Sequence, residues 1–235
     1  MPKRDRNPEY DETGESIIRL RPLVAAALIL LMSGPAAAQS WVEYTSREDF
    51  FIVNFPGEPT VKDIAYPTEF GINLPGRVYS VQDGSNRYSI TVVDYAPGER
   101  IHADRVRNCQ GYPDTCTNRW LNDVRGALDY AASKYIQRDG RVTYYAFADS
   151  DRVEGRRLQL TNADESRTFV AIYMHQNRLY ILDGTVSASA PPPALFQQNF
   201  GFFDKDGVRV RYRTLYSNLY PPPPREETRG RLAGC

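Results

Sequence analysis

Apolar side chains recur along this chain with a period that changes twice. From Phe51 they fall on every second residue, so Phe51, Val53 and Phe55 project to one side of a strand that Pro56-Gly57 breaks into a turn. A shorter strand over residues 60–65 leads to a hairpin whose arms, 77–82 and 87–95, flank Asp83-Gly84. In its second arm Tyr88, Ile90 and Val92 alternate with Ser89, Thr91 and Val93.

The period then lengthens. Trp120, Leu121, Val124, Leu128, Ala131, Ala132 and Tyr135 recur at intervals of three and four, one stripe of the only long helix that the pattern predicts. Thr117 or Asn118 can cap its start, and Gly140 stands where a left-handed cap would end it. Period two returns in segments 142–147, 156–161, 167–174 and 178–186, whose short links favour an antiparallel meander. After Pro191-Pro192-Pro193, residues 194–200 suit a short helix with Phe196 and Phe200 four apart. Residues 208–212 read as a last exposed strand. Pro221 to Pro224 and the polar residues 225–235 read as a disordered tail. The fold class predicted is α+β: an antiparallel sheet with one long and one short helix packed on it.

Ahead of this pattern, Arg19 and Arg21 precede an apolar run from Leu23 to Met32, a Ser-Gly-Pro break and Ala36-Ala37-Ala38. That is the layout of a secretory signal peptide, with cleavage expected between Ala38 and Gln39. The run is shorter than the roughly 20 residues a membrane span needs. No Cys stands at the junction, which argues against a lipid anchor. The stretch before it is long and carries Asp5, Glu9, Asp11, Glu12 and Glu15; either the start was assigned too far upstream or the leader stays attached as a membrane anchor. The organisation expected is 1–38 signal peptide, 39–204 one α+β domain, 205–220 an extension with the last strand, and 221–235 the Pro-rich tail.

Composition narrows the class further. Of 235 residues 41% are hydrophobic and 25% charged, enough to bury a core, and 29 basic residues balance 29 acidic ones. Without a basic excess a nucleic-acid partner is set aside. Cys109 and Cys116 bracket Gly111 and Pro113, which let the chain turn back, and they are read as a disulfide suited to an oxidising compartment. Closing so short a loop contributes about 2–3 kcal/mol. A redox pair or half a zinc site would want Cys-x-x-Cys spacing or a nearby His, which this stretch lacks. Cys235 is left over as an incidental thiol.

The run Phe51-x-Val53-x-Phe55-Pro56-Gly57-x-Pro59, shortly after a signal peptide, resembles the opening strand of a group of uncharacterised bacterial secreted proteins whose domains are similar to the PsbP-like α/β/α sandwich. The likeness extends in outline over residues 41–204, through the aromatic hairpin, the long helix, and Asp183-Gly184-Thr185 before the helix with Phe196 and Phe200. It implies an antiparallel sheet with helices against it, and accessory or assembly roles more than catalysis. No family-wide functional residues map onto this chain.

Chemistry is sparse. His102, in a turn-like stretch after Pro97-Gly98, and His175, in a hairpin turn, are read as solvated. Gly-x-Ser-x-Gly, a phosphate-cradling loop, His-Glu-x-x-His and a calcium loop are all missing, so no catalytic residue, metal site or cofactor is assigned. Asp94, Asp123, Glu154 and Asp183 are the acids that distant strands could bring together. Among the 16 tyrosines, Tyr79, Tyr88, Tyr95, Tyr144, Tyr145, Tyr173 and Tyr180 fall on expected strands, either packing a half-covered sheet or forming a recognition surface. The function expected is a non-catalytic periplasmic or secreted accessory or binding protein, acting on an envelope protein or small ligand. The alternative is a periplasmic hydrolase with an acidic site.

Overall fold

A computed structural model describes residues 41–111 and 116–226, all within the unit Ser40–Cys235. The leader, its Ala38–Gln39 junction and Cys235 lie outside the described residues. Strands β1 (Val42–Ser46) and β2 (Phe51–Phe55) form a hairpin that joins β10 (Gly201–Phe203) and β11 (Arg209–Val210) in a four-stranded sheet. Strands β3 (Thr60–Pro67), β4 (Asn73–Asp83), β5 (Asn86–Asp94), β6 (Gly140–Ser150), β7 (Val153–Asn162), β8 (Arg167–His175) and β9 (Arg178–Val186) form a seven-stranded sheet ordered β3-β4-β5-β9-β8-β7-β6. Every ladder in both sheets is antiparallel. Helices are α1 (Gly98–Arg107), α2 (Trp120–Ile136) and α3 (Ala194–Gln198). The fold is α+β and antiparallel, as the pattern predicts, with a second sheet and a second multi-turn helix that it did not show.

The most apolar strands lie in the middle because both of their faces are covered. In β8 Phe169, Ala171 and Tyr173 face the small sheet, whereas Val170, Ile172 and Met174 face α2. All six are buried, so the strand reads as a continuous apolar run. Two-residue turns return the chain at Asp151-Arg152 and Gln176-Asn177, where all four residues take positive φ.

The core between the sheets is aromatic and explains most of the tyrosines. Phe51, Phe55, Tyr79, Tyr88, Tyr173, Tyr180, Phe196, Phe200 and Phe202 are buried together. Tyr173 stacks on Phe200 with centroids 5.5 Å apart, and Gly155 opposite leaves room for its ring, since a Cβ there would lie 2.4 Å from it. Two of these phenols find partners in the turn between β1 and β2. Tyr79 donates to Asp49 Oδ2 at 2.6 Å, and Tyr180 donates to the Asp49 carbonyl at 2.9 Å. Arg77 grips the same carboxylate through Nε and Nη2, each at 2.7 Å.

On the other face α2 buries Val124, Leu128, Ala131, Ala132 and Tyr135 of the predicted stripe together with Ala127, whereas Leu121, expected on that stripe, is 48% exposed because the helix's first turn points it to solvent. Asn118 Oδ1 accepts from the Trp120 amide at 2.9 Å and so supports the helix start. Gly140 does not end the helix. The last helical residue is Ile136, and Gly140 opens β6.

Both histidines depart from the sequence reading. His102 sits on α1, only 2% exposed, with Nε2 2.9 Å from Asp123 Oδ2. Helix α1 escaped notice because its buried positions are Gly98 and His102, not an apolar stripe. His175 ends β8, is 2% exposed, and shares a 3.0 Å hydrogen bond with the Tyr212 hydroxyl. The chain's end differs too. Val210 and Tyr212 are buried, and only Arg209–Val210 pair as a strand. Of the stretch expected to be disordered, residues 221–226 are held in place: the Arg213 amide donates to the Pro224 carbonyl at 2.9 Å and the Glu226 amide to the Arg211 carbonyl at 2.7 Å.

Strand β6 forms one edge of the large sheet, with a register break between Val142 and Tyr144. Tyr144, Tyr145 and Phe147 on it are 46–56% exposed.

Two outcomes follow. Burial, and then the charges of Arg225 and Arg178, push the His175 pKa down from 6.5 to about 3. An imidazole depressed in the folded state binds its proton first in the unfolded chain. Its contribution is therefore full above pH 6.5 and is lost as pH falls towards 3, reaching about 2 kcal/mol at pH 5. Urea midpoints should fall less between pH 7 and pH 5 for His175→Gln than for the parent. Cys109 and Cys116 are joined, with Cα atoms 5.7 Å apart, so protein purified without reductant should expose one of its three thiols to alkylation. Mass spectrometry after labelling reads the count.

Candidate functional site

Helix α2 covers only part of the sheet. Under it the facing side chains are Leu158, Leu160, Val170, Ile172, Met174, Leu179 and Ile181. Beyond Ile136 the same face turns polar. One cross-strand row runs Thr60, Ser80, Ser89, Asp183, and the next runs Gln82, Arg87, Thr185, Thr168. These rows floor an open groove of about 1030 Å³, rimmed by Glu58, Arg138, Asp139, Asn162 and Asp164.

Hydrogen bonds knit this floor in one direction. Asn162 Nδ2 donates to the Ser166 and Thr168 hydroxyls, each at 2.9 Å. Ser166 donates onward to Asp164 Oδ1 at 2.6 Å. Thr168 and Thr185 share a bond of 2.8 Å, and Thr185 donates to Asp183 Oδ1 at 3.2 Å. Arg138 Nη1 reaches Asp183 Oδ2 at 3.5 Å while its guanidinium lies 3.8 Å from the Tyr135 ring centroid. Ser166 and Thr185 donate to carboxylates, so the network ends on the negative charges of Asp164 and Asp183. The Ser166 hydroxyl and amide hold Asp164 below the usual carboxylate range. Burial, and then the Asp183 charge, raise the Tyr135 phenol well above its ordinary value.

The acids singled out from the sequence are held at four separate places. Asp94 accepts from the Ala96 amide at 3.0 Å at the end of β5. Asp123 lies under α1, 1% exposed, where His102 and the Thr68 hydroxyl, at 2.6 Å, share its Oδ2. Glu154 binds Ser217 and Arg156 beside the C-terminal segment. Only Asp183 stands in the groove. Cys109 and Cys116 tie the connection between α1 and α2, with residues 112–115 outside the described ones. Among the described residues no three His, Cys, Asp or Glu side chains cluster to hold a metal.

Five of the seven strand tyrosines are buried; Tyr144 and Tyr145 are the exposed pair. In the sequence Ser89, Thr168 and Thr185 carry no mark of a site, because a polar residue at an alternate strand position ordinarily marks solvent. The signal that marks them is positional: they continue a face whose neighbouring rows are apolar.

The trough presents hydroxyls, amides and charges of both signs, with Ser166 and Thr185 already donating to its own carboxylates. Among the described residues no helix is long and apolar enough to cross a membrane.

No family model matches the chain, and no curated protein does. Among solved structures it is similar to the cyanobacterial PsbP, CyanoP, from Synechocystis sp. PCC 6803, at 11% identity over 72% of this chain and 96% of that one, with a TM-score of 0.42. Likeness of that degree is one of outline and carries no function between the chains.

Proposed function

We propose that this protein is a non-catalytic binding or accessory protein of the bacterial envelope, and that it engages its partner through the open groove. The observation that carries this reading is the groove floor: two rows of Ser, Thr and Gln side chains with Arg87 and Asp183, set on neighbouring strands of a rigid sheet. Binding surfaces built on sheet strands hold their geometry without help from a ligand. The rim adds Glu58, Asp139 and Asp164 to Asp183 against Arg87 and Arg138, which favours a polar partner carrying some positive charge.

The hydrolase alternative needs an acid held protonated opposite a second carboxylate. Asp164 is shifted the other way, and Asp183 is engaged by Arg138 and Thr185. Location in the envelope is supported by the leader and by the Cys109–Cys116 bond, which an oxidising compartment preserves.

Fractionation with N-terminal sequencing should find the protein in the periplasmic or secreted fraction, beginning at Gln39. A Ser89→Trp variant should unfold within a few degrees of the parent yet lose the partner that the parent captures from envelope extract. Equal capture by both removes the groove from the reading. Turnover of ester, glycoside or phosphate substrates that vanishes in Asp183→Asn would install the hydrolase in its place.

A further inference from the structure

The opposite face of the sheet carries a second, smaller cavity of different chemistry. It measures about 270 Å³ and lies between β6–β8 and the segment from Pro192 to Gln198. Strand alternation sets its floor: Arg157, Gln159 and Thr161 on β7 stand beside Arg167 and Phe169 on β8, with Thr161 paired to Arg167 and Gln159 to Phe169. Pro193 presses onto Gly184, where a Cβ would lie 2.9 Å from its Cγ, and so brings Gln197 down as a wall.

Three nitrogen donors here are buried without a partner: Nε of Arg157, Nε of Arg167 and Nε2 of Gln197. Buried donors are rarely left unmatched in folded proteins. No carboxylate lines the cavity, in contrast to the acid-rich groove, so two guanidiniums set its charge. Both are restrained. Arg167 donates through Nη2 to the Ala190 carbonyl and lies 5.7 Å from the Phe169 centroid. Arg157 lies close enough to the buried Tyr173 phenol to oppose the rise in its pKa that burial causes.

Three unmatched donors, two of them on guanidinium forks, with positive charge and no carboxylate, are the complement of a group that only accepts. We propose that this cavity is a binding site for a small oxyanion, a carboxylate or a phosphate, held by Arg157, Arg167 and Gln197. Arginine meets either group with two parallel N–H donors. The volume falls just below the roughly 300 Å³ at which ligand pockets usually begin, so it takes a free small anion or the anionic end of a larger molecule. The site is independent of the groove.

Titration of the mature, oxidised protein with inorganic phosphate, with acetate and with chloride, followed by NMR, tests this. Saturable shifts are expected at the Gln197 side-chain amide and the Arg157 and Arg167 Nε–H signals, with phosphate, acetate or both and not with chloride. The effective probe identifies the source. Arg157→Lys keeps the charge but lacks the fork and should weaken binding about tenfold. Gln197→Leu, which leaves both arginines, should also weaken it, and Ser89→Trp in the groove should not. Shifts that never saturate, that chloride reproduces, or that persist unchanged in Arg157→Lys and Gln197→Leu overturn the site and leave only water satisfying the donors.

Discussion

Burial of β8 and β9 on both faces is the constraint on which the rest of the molecule depends. Each fully buried aliphatic or aromatic side chain contributes about 1.5–3 kcal/mol, and these strands place almost every residue out of water. Two covering layers are therefore required, and they differ in kind. A small sheet closes one face with aromatic rings, and Tyr79 and Tyr180 of the large sheet reach across to Asp49 in its hairpin. A helix whose buried face includes Ala127, Ala131 and Ala132 lies along the other face.

That asymmetry decides where polar chemistry can stand. The small sheet with α3 covers most of its face and leaves the smaller Arg157–Arg167 cavity at its margin. The helix stops short, and the rows beyond Ile136 line an open trough, with Thr168 and Thr185 buried at its floor. The residues under each layer obey the same alternation, so a serine or threonine facing α2's side marks where the cover ends. The two concavities are thus products of incomplete coverage on opposite faces, one rich in carboxylates and the other without any.

Much of this architecture was legible in the residues. Phe51, Val53 and Phe55 announce a one-sided strand, and Val124 to Tyr135 announce the helix they form. Strands from 142 to 186 follow in meander order. What stayed hidden is held by polar contacts that periodicity does not register. Helix α1 is anchored by His102 on Asp123, and the C-terminal segment by Tyr212 on His175 and by the carbonyls of Arg211 and Pro224. A histidine buried neutral looks identical in sequence to one in solvent. The site was less legible than the fold, since its members come from β3 to β9 and only Asp183 among them had been marked as chemical. Arg157 and Arg167 read as ordinary charged strand residues until Gln197 is seen to face them.

The broken register in β6 bears on how the molecule behaves when crowded. An outermost strand with three exposed aromatic rings is a natural template for another chain to zip against. The extra residue at Thr143, whose hydroxyl donates to the Gln159 carbonyl at 3.2 Å, twists the rim out of the plane a second copy would need. A bulge in an outermost strand is one of the devices by which sheet edges discourage pairing with a second copy, and here it sits in the backbone and not in the side chains.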